Sequence, residues 1–248
     1  MNYDNCGIGF QVQAFYPHKL VTTNLIGNFD PTTGINTNYW DNQVGGQNNL
    51  RRFNSITHNN STPHNFAFDG SNDYFGEAQE GYGGSTFYFD TSDHLSVGQW
   101  FKHSNNKRHI IFTMNYGGND VILAEVSHTN NNRISVVGAG EGTVHFSYTF
   151  SNNTWYYVGI SVDQGNGATK LYVNGQLEEE GTSGFSNAGD SVFQIGKRAG
   201  SSVYSGSGIK LAHTHLYNAI VTGPTFRKNY LATHNPRTSL TYGVDFTA

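Results

Sequence analysis

Residues 143–176, TVHFSYTFSNNTWYYVGISVDQGNGATKLYVNGQ, decide the fold. In TVHFSYTF (143–150), apolar and polar side chains alternate, and this period of two predicts a strand with one buried and one wet face. WYYVGISVD (155–163) alternates in the same way. The Asn174-Gly175 pair accepts the positive φ angles of a two-residue turn, so it predicts a hairpin. The stretch therefore predicts consecutive antiparallel strands.

The rest of the chain repeats this pattern of short strands separated by turns rich in Gly and Asn. Further strands are predicted at HIIFTM (109–114), VILAEV (121–126), RISVVGA (133–139), KLYVNG (170–175), SVFQIG (191–196) and GIKLAHTHLYN (208–218). Only TGPTFRKNYLATH (222–234) predicts a helix, because Pro224 suits a first turn and Phe226 and Tyr230 share one face. We therefore expect an all-β fold, a two-sheet antiparallel sandwich with one short C-terminal helix.

Charge and composition narrow the classes of function. The chain has 248 residues, a net charge of −4 and only 13% charged residues. It has no basic stripe, which argues against nucleic-acid binding. No apolar run approaches about 18 residues, so no membrane span is predicted. The N-terminus does not resemble a secretory signal, and the single cysteine, Cys6, leaves no intrachain disulfide and favours a reducing compartment during assembly.

Several segments together resemble a known family of domains. They are NFAFDGSNDYF (65–75), the segment 153–176, FQIGKRAGSSVYSGSGIKLAHTHLYN (193–218) and VTGPTFRKNYLATHNPR (221–237). In this order they resemble the laminin-G-like, concanavalin A-like lectin and glucanase jelly-roll domains. The last segment departs from the family pattern, since Thr225-Phe226 stands where the family usually has Glu-Ile. The resemblance implies one jelly-roll domain over residues 20–237.

An upstream segment resembles the version of this domain found in phage virion structural proteins. It is NLIGNFDPTTGINTNYWDNQVGGQNN, residues 24–49. On this basis residues 1–19 are interpreted as an N-terminal arm that could dock onto a particle. Residues 238–248 are interpreted as a C-terminal tail or an edge strand.

The acidic segment LYVNGQLEEE (171–180) raises the question of an active carboxylate cluster. Consecutive strand residues point to opposite faces, so Glu178, Glu179 and Glu180 cannot all line one site. Charges on the strand that leaves a hairpin also discourage edge-to-edge pairing. The segment is therefore interpreted as structural.

Enzymes of the superfamily that the chain resembles carry an ExDxxE array on one strand. Alternate placement brings its carboxylates to one face, where two can act as nucleophile and acid/base. This chain lacks that spacing, and Glu125 and Glu141 stand alone in their segments. We expect no enzymatic activity, with a glycan-cleaving enzyme as the weaker alternative.

Two oxygen- or nitrogen-rich segments are candidate metal sites. Asp69, Asn72 and Asp73 lie within one turn, and relatives of this fold often hold calcium at loop carboxylates. The alternative is that the aspartates accept hydrogen bonds from their own turn amides. This turn supplies only a few of the about six to eight oxygen ligands that calcium needs.

His213 and His215 could bind a metal from one strand face, but no third ligand is identifiable.

The three tryptophans are candidates for stacking on sugars. Trp40, in NTNYWDNQ, is the candidate carbohydrate-binding residue, and packing inside the sandwich is the alternative for it and for Trp100 and Trp155.

These observations predict a non-enzymatic structural protein of a phage virion, as a head decoration protein, a head fibre or a tail-associated (tail-fibre) subunit. It would be assembled in the host cytoplasm and localise to the virion. Its partners would be other virion proteins, further copies of itself in a symmetric homo-oligomer, and host surface glycans. The alternative is a carbohydrate-binding lectin module unrelated to a virion.

Overall fold

The computed structural model describes residues 19–44, 49–76, 87–88, 94–116, 119–127, 132–138, 142–184, 190–198 and 202–234. In these residues the chain forms seventeen strands and one helix. The strands are β1 (Leu25–Phe29), β2 (Tyr39–Trp40), β3 (Leu50–Phe53), β4 (Thr57–Asn59), β5 (Asn65–Ala67), β6 (Tyr74–Gly76), β7 (Phe87–Tyr88), β8 (Leu95–His103), β9 (His109–Tyr116), β10 (Asn119–Ser127), β11 (Arg133–Gly138), β12 (Gly142–Thr149), β13 (Tyr156–Val162), β14 (Ala168–Val173), β15 (Gln176–Thr182), β16 (Asp190–Ile195) and β17 (Ile209–Tyr217). The helix is α1 (Gly223–His234).

The strands form two antiparallel sheets. Sheet A has the order β15-β14-β13-β8-β17-β5-β4, and β1 pairs with β17 beside this path. Sheet B has the order β12-β11-β10-β9-β16-β6-β3-β2, and β7 pairs with β16. Both sheets combine runs of consecutive strands, β13 to β15 and β9 to β12, with neighbours from distant parts of the chain, as when β8 lies between β13 and β17. The predicted all-β sandwich with one C-terminal helix is confirmed.

The main core lies between the two sheets and is rich in phenylalanine. Its fully buried aromatic members include Phe29, Trp40, Phe66, Phe75, Phe101, Phe112, Phe146, Phe150 and Phe193. Burying a side chain of this size stabilises the fold by roughly 2–3 kcal/mol. The aromatic side chains at alternating strand positions thus pack between the two sheets and hold them together.

Helix α1 covers the outer face of sheet A and creates a second, smaller core. Phe226 packs on Tyr172, with ring centroids 4.8 Å apart, and the same core includes Trp100 and Tyr157. For this reason β13 is buried at every position. The sequence predicts a wet face for this strand, and that detail is wrong because the helix lies over it. Gly159 faces Phe226 at a position where no larger side chain fits.

The hairpin predicted at Asn174-Gly175 joins β14 and β15. Both residues have positive φ, 52° and 83°, as a primed two-residue turn requires.

The predicted docking arm at residues 1–19 lies outside the described residues except for Lys19. The predicted tail at residues 238–248 also lies outside them. No helix in the described part of the chain is long and apolar enough to cross a membrane.

Candidate functional site

The turn predicted to bind calcium is held by its own hydrogen bonds. Asp73 is only 1% exposed, and its two carboxylate oxygens accept the backbone N–H groups of Ser55 at 2.8 Å and Asp69 at 2.9 Å. Burial raises the pKa of Asp73, and these backbone donors partly oppose that shift. Asp69 in turn accepts the N–H of Ser71 at 2.7 Å. The geometry thus gives both carboxylates a turn-stabilising role.

The fit of calcium to this turn is poor because Asp73 already uses both oxygens. The side chains of Asp69 and Asn72 are the exposed oxygen donors that remain. In the described residues no group of three or more His, Cys, Asp and Glu side chains is placed to hold a metal ion. Calcium binding at Asp69, Asn72 and Asp73 stays a prediction.

Trp40 is part of the core, which corrects its assignment as a carbohydrate-binding residue. It is 0% exposed, and its ring lies 4.6 Å from Phe66 and 5.2 Å from Phe75 between centroids. Its Nε1 donates to the carbonyl of Asp30 at 2.9 Å. A ring enclosed in this way offers no face to a sugar. Trp100 is also buried, and its Nε1 donates to Thr233 of α1.

The two histidines of β17 belong to separate polar contacts. Nδ1 of His215 lies 2.9 Å from the hydroxyl of Tyr157, and Nδ1 of His213 lies 3.6 Å from a carboxylate oxygen of Asp30. Their rings are 6.2 Å apart between centroids. The first contact links β17 to β13 under the helix, and the second links β17 to the end of β1.

The carboxylates considered for catalysis have structural partners where they are described. Glu125 is 8% exposed and accepts a hydrogen bond from Nε of Arg108 at 2.7 Å. On the neighbouring strand, Ser135 hydrogen-bonds His145 at 2.7 Å, but Ser135 is 3% exposed. A buried hydroxyl is not accessible to a polymeric substrate. Glu125, Ser135 and His145 lie opposite one another on β10, β11 and β12, and their contacts stabilise these three strands. Glu141 lies outside the described residues.

The acidic hairpin also has structural contacts. Glu179 accepts hydrogen bonds from the backbone N–H and the hydroxyl of Ser147, and so joins the edge of sheet A to the edge of sheet B. Glu180 pairs with Lys170 across the β14–β15 ladder at 3.0 Å. These contacts agree with the structural interpretation of the segment.

A half-buried stack of rings and cations lies on the outer face of sheet B. We call it the aromatic–cation strip and define it as Arg51, Phe53, Tyr74, Lys197 and Tyr204. Phe53 and Tyr74 are directly opposed on β3 and β6, and their rings are parallel with centroids 4.2 Å apart. The alternation of β3 and β6 turns Leu50 and Phe75 into the core and leaves Phe53 and Tyr74 on the outside.

Cations lie at both ends of this ring pair. The guanidinium of Arg51 is 5.1 Å from the centre of the Phe53 ring. Nζ of Lys197 is 4.6 Å from the centre of Tyr74 and 5.7 Å from that of Tyr204. A bridge between the backbones of Lys197 and Tyr204 fixes these two residues beside each other. Partial burial raises the pKa of the Tyr74 hydroxyl, and the nearby Tyr204 adds to this rise.

The sequence did not reveal this strip. Tyr74, Lys197 and Tyr204 stand inside segments that resemble the family. Tyr74 lies between the buried Asp73 and Phe75, at a position that alternates away from them. That alternation is the one signal that could have placed Tyr74 on the outer face of its strand. The partnership of Phe53 with Tyr74 depends on the register between β3 and β6, which no local pattern states.

The segment that suggests a virion protein has a packing role in the fold. The side chain of Asn42 is almost fully buried, and its Oδ1 accepts the N–H groups of Asn28 and Val44, both at 2.9 Å. Its Nδ2 donates to the carbonyl of Ile26 at 3.0 Å. Asn42 therefore holds the β1 strand against the segment that carries Trp40.

Comparison with known families agrees with this architecture. Residues 69–224, more than half of the chain, match the family model described as the concanavalin A-like lectin/glucanases superfamily. The chain belongs to this superfamily. The matched range includes the turn at Asp69 and Asp73, the acidic hairpin and most of the aromatic–cation strip. A search of curated proteins gives no match to the chain.

Solved structures share the fold at low sequence identity. A Trypanosoma rangeli sialidase in complex with sialic acid superposes with a TM-score of 0.68 at 13% identity, over 88% of this chain and 34% of the sialidase. The botulinum neurotoxin serotype G binding domain gives 0.62 at 12%, over 84% and 50%. The serotype D ligand-binding domain, in complex with N-acetylneuraminic acid, gives 0.60 at 14%, again over 84% and 50%. The chain thus spans about a third to a half of these proteins, and the likeness is one of fold.

Proposed function

We propose that this chain is a non-enzymatic structural protein of a phage virion whose sandwich contacts host surface glycans through the aromatic–cation strip. The observation that carries the glycan part is the strip itself. A cluster of half-buried aromatic side chains on the outer face of a sheet supports an interaction surface. Aromatic rings offer apolar contact to the C–H groups of a sugar, and the ammonium of Lys197 beside two of them offers hydrogen-bond donors.

Membership of a lectin and glucanase superfamily supports a carbohydrate ligand. Two of the structural neighbours are described in complex with sialic acid or N-acetylneuraminic acid, which agrees with a glycan partner. A shared fold alone does not assign function, so the argument rests on the strip.

The non-catalytic part of the proposal rests on what the acidic groups do. Hydrolysis of a glycosidic bond uses two carboxyl groups about 5 to 10 Å apart that are open to the substrate. Asp73 holds a turn, Glu125 is paired with Arg108, and Asp120 accepts a hydrogen bond from Arg198 at 2.6 Å. Each of these carboxylates would have to leave a partner before it could act on a sugar.

The virion part of the proposal rests on the resemblance of residues 24–49 to phage structural proteins. It includes attachment to the head or the tail, contact with other virion proteins and a symmetric homo-oligomer. Mass spectrometry and immunogold labelling of purified particles test this part, and we expect the chain in stoichiometric amounts on one surface. Absence from particles together with glycan binding would instead support a lectin module unrelated to a virion.

A glycan array tests the glycan part. We expect the full chain to bind a subset of glycans, and Phe53→Ala to lose that binding while its circular-dichroism spectrum and Tm stay close to those of the parent. No binding at millimolar glycan, or product release from a polysaccharide panel, would contradict the proposed function.

A further inference from the structure

Two histidines are buried at one end of the sandwich, His103 at the end of β8 in sheet A and His109 at the start of β9 in sheet B. We propose that this pair is an acid-sensitive latch, which lets the adjoining loops 104–108 and 206–208 open while the rest of the sandwich stays folded. The inference goes beyond the proposed function and does not depend on a glycan.

The two histidine side chains are closed off from water and poorly hydrogen-bonded. Both are 0% exposed, and their ring centroids are 5.7 Å apart. Nδ1 of His103 lies 3.1 Å from the carbonyl of Asn105, and its Nε2 has no hydrogen-bond partner among the described residues. In the same part of the chain, neither ring nitrogen of His109 makes a well-formed hydrogen bond. Because both nitrogens of a protonated imidazole are donors, the closed site accommodates the charged form poorly.

The surroundings of His109 oppose its protonation. Burial lowers the pKa of His109 to about 4, and the charges of His103 and Lys107 add to this shift. The backbone groups of Asn105 and Gly206 oppose it only in part. A positive charge on His109 is therefore more stable once the ring reaches water.

The acidic side chains of the neighbouring elements do not neutralise the pair. Among the described residues, no carboxylate forms an ion pair with either histidine. On β10, Glu125 is paired with Arg108. In the turn 69–73, which lies against Ser207, both aspartates accept backbone N–H groups. Protonation thus adds a buried positive charge that has no counter-ion in these elements.

The two adjoining loops are joined to each other by a few accessible contacts. Four hydrogen bonds run between them, from Ser104 N–H to the Gly208 carbonyl at 3.0 Å, from Asn105 Nδ2 to the Ser207 carbonyl at 2.5 Å, from Lys107 Nζ to the Ser207 hydroxyl at 2.8 Å and from Gly206 N–H to the Arg108 carbonyl at 2.7 Å. Every residue of both loops is exposed or half-buried. Loops with so little buried surface open at a lower cost in free energy than the sheets do.

Buried residues limit this opening to the two loops. Ser205 is 1% exposed, and its Oγ accepts the N–H of Ile110 at 2.8 Å and donates to the carbonyl of the same residue at 3.0 Å. On the other side of loop 206–208, Ile209 is 0% exposed and belongs to the main core. Separation of the loops therefore gives water a path to His109 without separating the sheets.

Hydrogen–deuterium exchange of the full chain, followed by NMR at pH 7.5 and pH 5, tests the latch. Below about pH 6.5 the open form binds a proton that the closed form does not bind until about pH 4. After correction for the intrinsic pH dependence of amide exchange, we expect the opening of the Ser104 and Gly206 amides to rise about thirtyfold at pH 5. Residues 156–162 of β13 should show no comparable rise.

Two histidine variants complete the test. His109→Gln removes the titrating group, so the rise should disappear, whereas His145→Gln changes an exposed histidine of β12 and should keep it. If His109→Gln does not fold, the parent alone decides, because its rise must develop between about pH 6.5 and pH 4. No rise in the parent, a full rise in His109→Gln, or an equal rise in the loops and β13 would overturn the latch.

Discussion

Asp73 is a buried acidic residue that stabilises a polar turn of the fold. Both of its oxygens accept backbone N–H groups in a nearly closed environment. Asp73→Asn keeps the size of the side chain but puts an NH2 group opposite one of those donors. We expect unfolding free energy to fall by about 1–3 kcal/mol, because a buried donor loses its acceptor. Urea unfolding measures this, and the exposed Asp69→Asn should cost about 0.5 kcal/mol or less.

The same turn allows a direct test of calcium. We expect the Tm in millimolar calcium to equal the Tm in chelator, because Asp73 already uses both oxygens and a calcium ion needs about six to eight ligands. A rise in Tm with calcium that disappears in Asp69→Asn would instead confirm the predicted site at Asp69, Asn72 and Asp73.

His109 makes stability depend on pH. It is fully buried at the start of β9, and burial, with the nearby His103, lowers its pKa to about 4. Below pH about 6.5 the unfolded chain takes up a proton that the folded chain does not bind until about pH 4. The contribution of His109 to the free energy of unfolding is therefore fully present above pH 6.5. It falls by roughly 3 kcal/mol between pH 6.5 and pH 4.

Urea unfolding at about pH 7.5 and pH 5 measures this dependence, with His109→Gln as the comparison. We expect the parent to lose more stability between the two pH values than the variant does. Equal losses would show that His109 does not carry the dependence.

At the scale of elements, the contact between α1 and sheet A depends on two glycines. A Cβ on Gly159 would lie 2.7 Å from the ring of Phe226, and one on Gly98 would lie 2.1 Å from the hydroxyl of Tyr157. Gly159→Ala should therefore push the helix away and cost about 1–3 kcal/mol, as overpacking does. Thermal unfolding measures the effect.

Gly165→Ala is the control, since its Cβ would meet only a carboxylate oxygen of Asp163 at 3.2 Å. Equal stability of the Gly159→Ala variant and the parent would show that α1 does not pack closely against Gly159.

Elements with strong local signals could be predicted from the sequence, and the layers around them could not. The period of two in TVHFSYTF and the Asn174-Gly175 turn fix a strand and a hairpin locally. The burial of both faces of β13 follows from α1, which lies more than 60 residues further along the chain. Likewise, Phe53 and Lys197 lie in the same strip only because of how strands from distant parts of the chain pair in sheet B. Trp40 shows the same limit, because sequence cannot tell a core aromatic residue from an exposed one in an irregular segment.

The whole molecule has two different outer faces. The strip lies on the outer face of sheet B, and α1 lies on the outer face of sheet A. The beginning of the described chain is also on the helix side, because the N–H of Val21 donates to Asn229 at 3.0 Å and its carbonyl accepts the hydroxyl of Tyr217 at 2.8 Å. The described chain therefore begins and ends on the helix side, and the strip lies on the opposite face of the sandwich.

Deletion of residues 1–19 tests the docking role proposed for the arm. The contacts of Val21 stay in this variant, so we expect its Tm to stay within a few degrees of the parent value. Attachment to purified particles, measured by co-sedimentation, should be lost. A variant that still attaches would contradict the docking role, and light scattering on both proteins reports whether the predicted homo-oligomer depends on the arm.

The most direct test of the account is to map where a bound glycan protects the chain. Hydrogen–deuterium exchange of the full protein, with and without the best array ligand, provides this map. We predict protection in residues 51–53, 74–76 and 196–204, and unchanged exchange in α1 and the β13–β14 turn. Protection confined to the helix side, or no protection by any glycan, would contradict the claim that the outer face of sheet B is a glycan-contact surface.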